Sequence, residues 1–296
     1  MIFLLRALRI LKDAVFAPSL SLRTRSLLLI LQPITFLTYK IEWAISRKFP
    51  HASEIRIPLR RVPGQKLGAI IYTPKSGLSQ PQKKVPLHLN IHGGAFLGGL
   101  PEGNARLCSE LAEKAGAVVV STSYRYAPVH SFPDAHEDVH DVAEFLIENS
   151  ERLWNVDPTI FTVSGFSVDF RLPPWQKPWP LGFPEVDPLA FLQPLFDAYN
   201  MLFVVGGAEI LRDETTTMTE RLEAEAKAIN LSRGLFTPNE PDGEAVGVWT
   251  NVAEGQIHGW TEMSSFAINV ELRTKAFGDT ISFLRGVHRA YGFTEE

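Results

Sequence analysis

The stretch "FTVSGFSVDFRLPPWQKPWP", residues 161–180, decides how this chain is read. Its first half is a short apolar run that ends in Gly165-Phe166-Ser167. A catalytic serine on an α/β sheet is commonly presented on a sharp turn between a strand and a helix, with the pattern G-x-S-x-G. "TIFTVSG" supplies a strand and Ser167 the serine, but the fifth position holds Asp169 instead of glycine. The residues after Ser167 cannot form the helix. Residues 168–194 contain Pro173, Pro174, Pro178, Pro180, Pro184, Pro188 and Pro194, seven of the chain's 21 prolines. A proline inside a helix costs about 3 kcal/mol or more. Gly-x-Ser is a weak signal by itself, so its meaning rests on the rest of the chain.

Outward from that stretch, strand-like and helix-like segments alternate. "EIRIPLRRV", "KLGAIIYTP" and "VPLHLNIHGG" read as strands, the last ending in glycines. Residues 103–115 read as a helix, "GAVVVSTSY" as a buried strand, residues 134–149 as a helix, and "TIFTVSG" as the next strand. Beyond the proline-rich segment 168–200, "MLFVVGG" reads as a strand, residues 211–229 as a helix, "AVGVWTNVA" as a strand and residues 271–290 as a closing helix. Such alternation predicts an α/β fold with a mostly parallel sheet covered by helices on both faces. In such sheets ligands bind beyond the carboxyl ends of the strands. Residues 92–95, Ser167 and Glu209 sit just after strands, and His258 a few residues past one.

Composition narrows the class. The 296 residues are 45% hydrophobic and 21% charged, enough apolar material for a sizeable core. The net charge of −4 gives no reason to expect nucleic acid as a partner. It is unevenly spread: residues 1–50 hold eight Lys/Arg and two Asp/Glu, a balance of +6 against −10 for the remainder. A basic, apolar N-terminus ahead of an acidic body points to an anionic surface. "MIFLLRALRILKDAVF" sets Arg6, Arg9 and Lys12 at three-residue steps, one basic stripe on a helix, unlike the uninterrupted core of a signal peptide. "SLLLILQPITFLTY" is interrupted by Pro33 and is too short for a span, which needs about 20 apolar residues. Residues 1–50 therefore read as a helical cap on the body or as a segment lying on a membrane surface. Residues 51–296 read as the α/β domain. The single cysteine, Cys108, precludes an intrachain disulfide and sits on an amphipathic helix as a core thiol. The compartment stays open; an intracellular chain, cytoplasmic or peripherally membrane-associated, is favoured.

Several residues carry chemistry. "HGGAF", 92–96, places His-Gly-Gly at the end of a buried strand. Ester hydrolysis passes through a tetrahedral oxyanion, and each fixed N–H donor to it is worth roughly 3–4 kcal/mol of barrier. Glycines let the backbone approach closely and adopt positive φ. The plainer alternative is a glycine turn. A serine nucleophile needs a base, and the base an orienting carboxylate. "QIHGW" offers His258; "GGAEILRDE" offers Glu209 directly after a strand. Asp213 and Glu214 are better explained as the acidic first turn of a helix. The chain order Ser167, Glu209, His258 is that of serine hydrolases on this kind of sheet.

With "IHGGAF", "SYRYAP" (123–128), "FPDAHED" (132–138), "VSGFS", "GGAEILRDE" and "HGW" together, the chain resembles the hormone-sensitive-lipase-type branch of the α/β-hydrolases, the fold-3 carboxylesterases, particularly fungal members. The match runs from about residue 85 onward. The resemblance implies an α/β-hydrolase fold and hydrolysis of a small-molecule or acylglycerol-like ester. It implies Ser167 as nucleophile, His258 as base and Glu209 at the usual aspartate position. It also implies Gly93 and Gly94 as oxyanion donors joined by the N–H of Val168, no cofactor, and a helical N-terminal region capping the site.

The chain departs from that pattern after Ser167. The family continues Ser-Ala-Gly-Gly into a helix, whereas "VDFRLPPW" resembles the end of a later strand; a second abrupt join lies at Asn200-Met201. Two internal segments are expected to be absent, leaving the fold incomplete behind the nucleophile strand. A chain impaired in this way would be a hydrolase-like lipid- or membrane-binding protein. A rival from another class is "HEDVH", 136–140, which fits H-E-x-x-H with His136 and His140 as zinc ligands and Glu137 as base. With Asp138 in its middle and no obvious third ligand, it is better read as the charged face of a helix, and no metal site is expected.

Overall fold

The computed structural model describes residues 52–75, 83–94, 99–126, 129–130, 133–166, 200–208, 212–236, 245–257, 259–263 and 268–293, with scattered positions between 8 and 44. The chain forms two compact units, Met1–Ser167 and Val168–Glu296. The division falls at the peptide bond after Ser167.

In the first unit, strands β1 (Ala52–Pro58), β2 (Lys66–Tyr72), β3 (Val85–Ile91), β4 (Val118–Thr122) and β5 (Val156–Gly165) form one sheet in the order β1-β2-β4-β3-β5. The three strands nearest the candidate site, β4, β3 and β5, run parallel, as the alternation predicts. The first two strands are added antiparallel. β1 and β2 are joined by a tight connection in which the Leu59 N–H donates to Gln65 O at 3.0 Å.

Register separates the sheet's two faces. Leu87 and Leu89 of β3 lie level with Val118 and Val120 of β4, Ile71 of β2 lies level with Val120, and Ala69 of β2 shares the same face. On this face packs α2 (Asp134–Trp154) through Val142 and Leu146, both fully buried. Burying such a side chain stabilises by roughly 1.5–3 kcal/mol. The opposite face is more polar: His88 and Asn90 of β3, Ser121 of β4, and Thr162 and Ser164 of β5 line up there. It is covered by α1 (Ala105–Lys114), whose Cys108 is fully buried and hydrogen-bonded to Ser121. Burial pushes the Cys108 thiol up to about 12, fitting its reading as an inert core thiol.

α2 runs five residues beyond its expected end at 149 and stops where Asn155 adopts φ 54°, its N–H donating to Glu151 O at 2.9 Å. Asparagine is among the few residues that accept this left-handed conformation as a helix end. Its N-terminal half carries the "HEDVH" motif, and the charged-face reading needs one correction: Asp138 and Asp141 are each only 1% exposed and belong to the buried stripe.

In the second unit, β6 (Met201–Gly206) and β7 (Val248–Ala253) pair in parallel. α3 (Arg212–Ser232) and α4 (Val270–Ala290) cover its two faces, Leu222 of α3 against Met201, Phe203 and Val248, and Ala276 of α4 against Ala253 with Val204 alongside. Asn269 caps α4, its side-chain oxygen accepting from the N–H groups of Glu271 and Leu272 at 3.0 and 3.1 Å.

The described positions between residues 8 and 44 are helical, and apolar side chains among them are exposed: Phe16 at 73%, Leu22 at 83% and Ile30 at 61%. Among the described residues, no helix is long and apolar enough to cross a membrane.

Candidate active site

β3 and β5 are neighbours, and their parallel register pairs Ile91 with Gly165. The Phe166 N–H continues the ladder, donating to Ile91 O at 3.2 Å. Two positions beyond Ile91 comes Gly93, and two beyond Gly165 comes Ser167. The His-Gly-Gly turn and the approach to Ser167 thus leave the sheet side by side at the carboxyl ends of adjacent strands, where such sheets bind ligands. Ser167 and Val168 lie outside the described residues.

The turn itself is closely held. His92 is 1% exposed, and its Nδ1 donates to Gly93 O at 2.7 Å. Burial drives the His92 pKa down to about 4, only partly opposed by that bond, so the ring is neutral with its proton on Nδ1. Tyr124, just past β4, stacks on the His92 ring with centroids 4.5 Å apart and donates its hydroxyl to His92 O at 3.2 Å. Gly94 has φ 128° and Gly99 φ 117°. A Cβ on Gly99 would fall 2.3 Å from His92 Nδ1 and 2.4 Å from Gly93 O, so only glycine fits.

Behind the turn, polar side chains tie the strands together. His88 bridges Thr162 Oγ1 at 2.8 Å and Ser164 Oγ at 2.9 Å, both on β5. Ser164 donates to Asn90 Oδ1 at 3.0 Å, and Asn90 donates to Ser121 Oγ at 3.0 Å. Ser164 is three residues before Ser167, so this network fixes the register of the strand that delivers it.

The second unit builds a comparable strand end. Gly206 pairs with Ala253, the Gly207 N–H donates to Ala253 O at 2.7 Å, and the Ala208 N–H donates to Gln256 O at 2.9 Å. The loops that carry Glu209 and His258 therefore leave neighbouring parallel strands at the same end. Gly207 is required there, since its Cβ would lie 2.7 Å from the Glu254 Cα. Arg212 clamps the loop, donating from Nη1 to Gly207 O at 2.8 Å and from Nη2 to Glu254 Oε1 at 3.3 Å. Glu209 and His258 lie outside the described residues.

Comparison with known proteins agrees with this architecture. A family described as "alpha/beta hydrolase fold" matches residues 88–168. A solved esterase of Pyrobaculum calidifontis superposes with a TM-score of 0.57 at 20% identity, covering 86% of this chain and 92% of that one. The chain has the α/β-hydrolase fold. An ethyl acetate hydrolase of Pseudomonas putida is 38% identical over 80 residues, covering 27% of this chain and 25% of that protein. An esterase of the fungus Gibberella moniliformis is 30% identical over 86 residues, covering 29% and 27%. The chain spans about a quarter of the length of the first curated relatives it matches. The hydrolase-fold resemblance anticipated from "HGGAF" through "VSGFS" falls within the matched segment.

The two histidines of "HEDVH" do not fall in one group of possible metal ligands among the described residues. Among the described residues, the one group within metal-binding distance is His140, Asp141 and Glu144, without His136. Asp141 is already engaged: its carboxylate accepts from the Arg60 and Arg61 N–H groups at 2.9 and 3.0 Å and from the Arg61 guanidinium. Asp138 accepts from Arg125. This helix of the hydrolase fold uses its carboxylates to hold loops. In the sequence, "SYRYAP" and "FPDAHED" carry family resemblance alone, with no role for Tyr124, Arg125 or Asp138, which support the His-Gly-Gly turn.

Proposed function

We propose that the chain is a carboxylic-ester hydrolase acting through a seryl acyl-enzyme on a small-molecule or acylglycerol-like ester. Ser167 attacks the carbonyl carbon, and His258 takes its proton and returns it to the leaving alkoxide. Glu209 orients His258, and water then cleaves the acyl-enzyme by the same route. The N–H groups of Gly93, Gly94 and Val168 receive the oxyanion. The observation that carries the reading is the β3–β5 register, with Gly93 and Ser167 each two residues past a directly paired position. The chemistry needs no cofactor.

The test is hydrolysis of a short-chain p-nitrophenyl ester by the full chain, with Ser167→Ala and His258→Ala alongside. Loss of turnover by about 10³-fold or more in both variants is expected, since each removes a group that acts as part of a unit. Turnover by the unsubstituted chain no faster than by Ser167→Ala refutes the proposal.

A second reading concerns where the enzyme works. The exposed apolar side chains among the helical positions between 8 and 44, together with the +6 balance of residues 1–50, support contact with an anionic membrane surface.

A further inference from the structure

We propose that Tyr124 is a positioning residue for the oxyanion site, aiming and polarising the Gly93 N–H through the peptide it shares with His92. The inference rests on the ester-hydrolase reading and assigns a role to a residue that does not touch the substrate.

In a trans peptide unit the carbonyl of one residue and the N–H of the next lie in one plane and point in opposite directions. Fixing the carbonyl therefore aims the N–H. The His92 carbonyl shares its unit with the Gly93 N–H and accepts from the Tyr124 hydroxyl at 3.2 Å. The Gly93 carbonyl shares its unit with the Gly94 N–H and accepts from His92 Nδ1 at 2.7 Å. Both carbonyls of the turn are thus held by side chains, and both N–H groups are directed away from them. A glycine pair would otherwise rotate freely about these bonds; restraint is what turns a flexible turn into a preorganised donor pair.

Tyr124 is itself immobilised. It is 6% exposed, lies flat on the His92 ring and meets Tyr126 edge to face with centroids 6.4 Å apart. The next residue, Arg125, is tied to α2 by its backbone N–H, which donates to Asp138 Oδ2 at 2.7 Å. The strand end that carries the tyrosine is therefore anchored to a helix instead of resting on the turn it restrains. Hydrogen bonding at the carbonyl also withdraws electron density along the amide, which makes the Gly93 N–H a stronger donor.

The experiment compares the full chain with Tyr124→Phe, which keeps the stacking and removes only the hydroxyl. Two readouts are taken: kcat and KM across pH on a short-chain p-nitrophenyl ester, and the backbone amide resonances of Gly93 and Gly94. The expected result is a kcat about tenfold lower, a fraction of the loss when a whole oxyanion donor is deleted. KM should stay within twofold, the pH profile should keep its shape, and a shifted resonance should appear at Gly93. An unchanged Gly93 resonance overturns the proposal, and so does a shifted resonance with kcat unchanged. Resonance changes spread along β3 and β5, with KM and kcat both altered, would show a general structural role and also overturn it. Should the unsubstituted chain hydrolyse no ester, the hydrolase reading fails, and with it the catalytic part of this proposal. The Gly93 resonance would still decide whether the tyrosine aims the peptide.

Discussion

Replacing Asp138 by alanine should destabilise the first unit by several kcal/mol. Its carboxylate is 1% exposed and faces Arg125, which is 12% exposed. Asp138 accepts from the Arg125 N–H at 2.7 Å and from Arg125 Nε at 2.9 and 3.0 Å, and Arg125 Nη2 lies 2.8 Å from its Oδ1. An exposed ion pair contributes about 0–1 kcal/mol. A buried one behaves differently, because removing one partner leaves the other charge desolvated and uncompensated, at a cost of about 3–5 kcal/mol. Asp134 mitigates this only in part, with its oxygen 3.3 Å from Arg125 Nη1 and shared with His130 Nδ1 at 2.9 Å. About 4 kcal/mol with a urea slope of about 2 kcal/mol/M gives a midpoint about 2 M lower. The assay is urea unfolding read by hydrogen exchange of the β3 and β4 amides, so that the first unit is followed by itself. Asp138→Asn, which retains an acceptor for the Arg125 N–H, should lose about half as much. The pair Arg125→Met with Asp138→Leu should recover most of the alanine loss, since no charge is then left buried. A midpoint lowered by less than about 0.5 M in Asp138→Ala would refute the argument and place the pair with surface ion pairs.

Acid should weaken the same unit. His92 has its pKa lowered from 6.5 to about 4 by burial, so the unfolded chain binds the extra proton first as pH falls. Its contribution is therefore fully present above pH 6.5 and is lost towards pH 4, by about 2–3 kcal/mol between pH 7.5 and 4.5. Burial lowers the His136 pKa too and adds in the same direction. Urea midpoints at the two pH values check this, and a first unit no less stable at pH 4.5 contradicts it. For the membrane reading, the full chain should co-sediment with phosphatidylserine vesicles and release as salt is raised, whereas Arg6→Glu with Arg9→Glu and Lys12→Glu should bind roughly 100-fold more weakly or worse, at about 1 kcal/mol per basic residue lost. Equal binding to phosphatidylcholine vesicles rules that reading out.

The elements from β1 to α4 are legible because each writes its own period into the sequence: alternate or continuous apolar runs for strands, three-to-four spacing for helices. What pattern cannot reveal is pairing. The apolar run starts β5 at Thr159, yet the strand begins at Val156 and crosses Pro158. Among the described residues β5 pairs with β3 alone, and a proline is tolerated where a strand has no ladder partner to donate to. The register slips between Pro86 and Leu87, and Asp157 closes a local turn by accepting from the Thr159 N–H at 2.9 Å. A proline that ordinarily ends a strand here sits inside an irregularity, which depends on the neighbour and not on the segment.

The proposed reactive groups are legible in the sequence and the residues that support them are not, and chemistry explains the difference. A nucleophile or a glycine turn has few substitutes, so Gly93, Gly94 and Ser167 stand out from the sequence alone as candidates for the proposed chemistry. A supporting residue is an ordinary tyrosine, arginine or aspartate whose role exists only in the contact it makes. Asp138 in particular sits in a run of charges, "HEDVH", where the general rule assigns an exposed face. The fold overrides the rule because the Arg125 N–H and guanidinium reach it from the end of β4. Buried there, the carboxylate holds Arg125, the adjacent Tyr124 holds the His92 carbonyl, and the turn that carries Gly93 and Gly94 is fixed from a helix on the far face of the sheet. The motif that looked like a zinc site is better understood as the outer end of that chain of support.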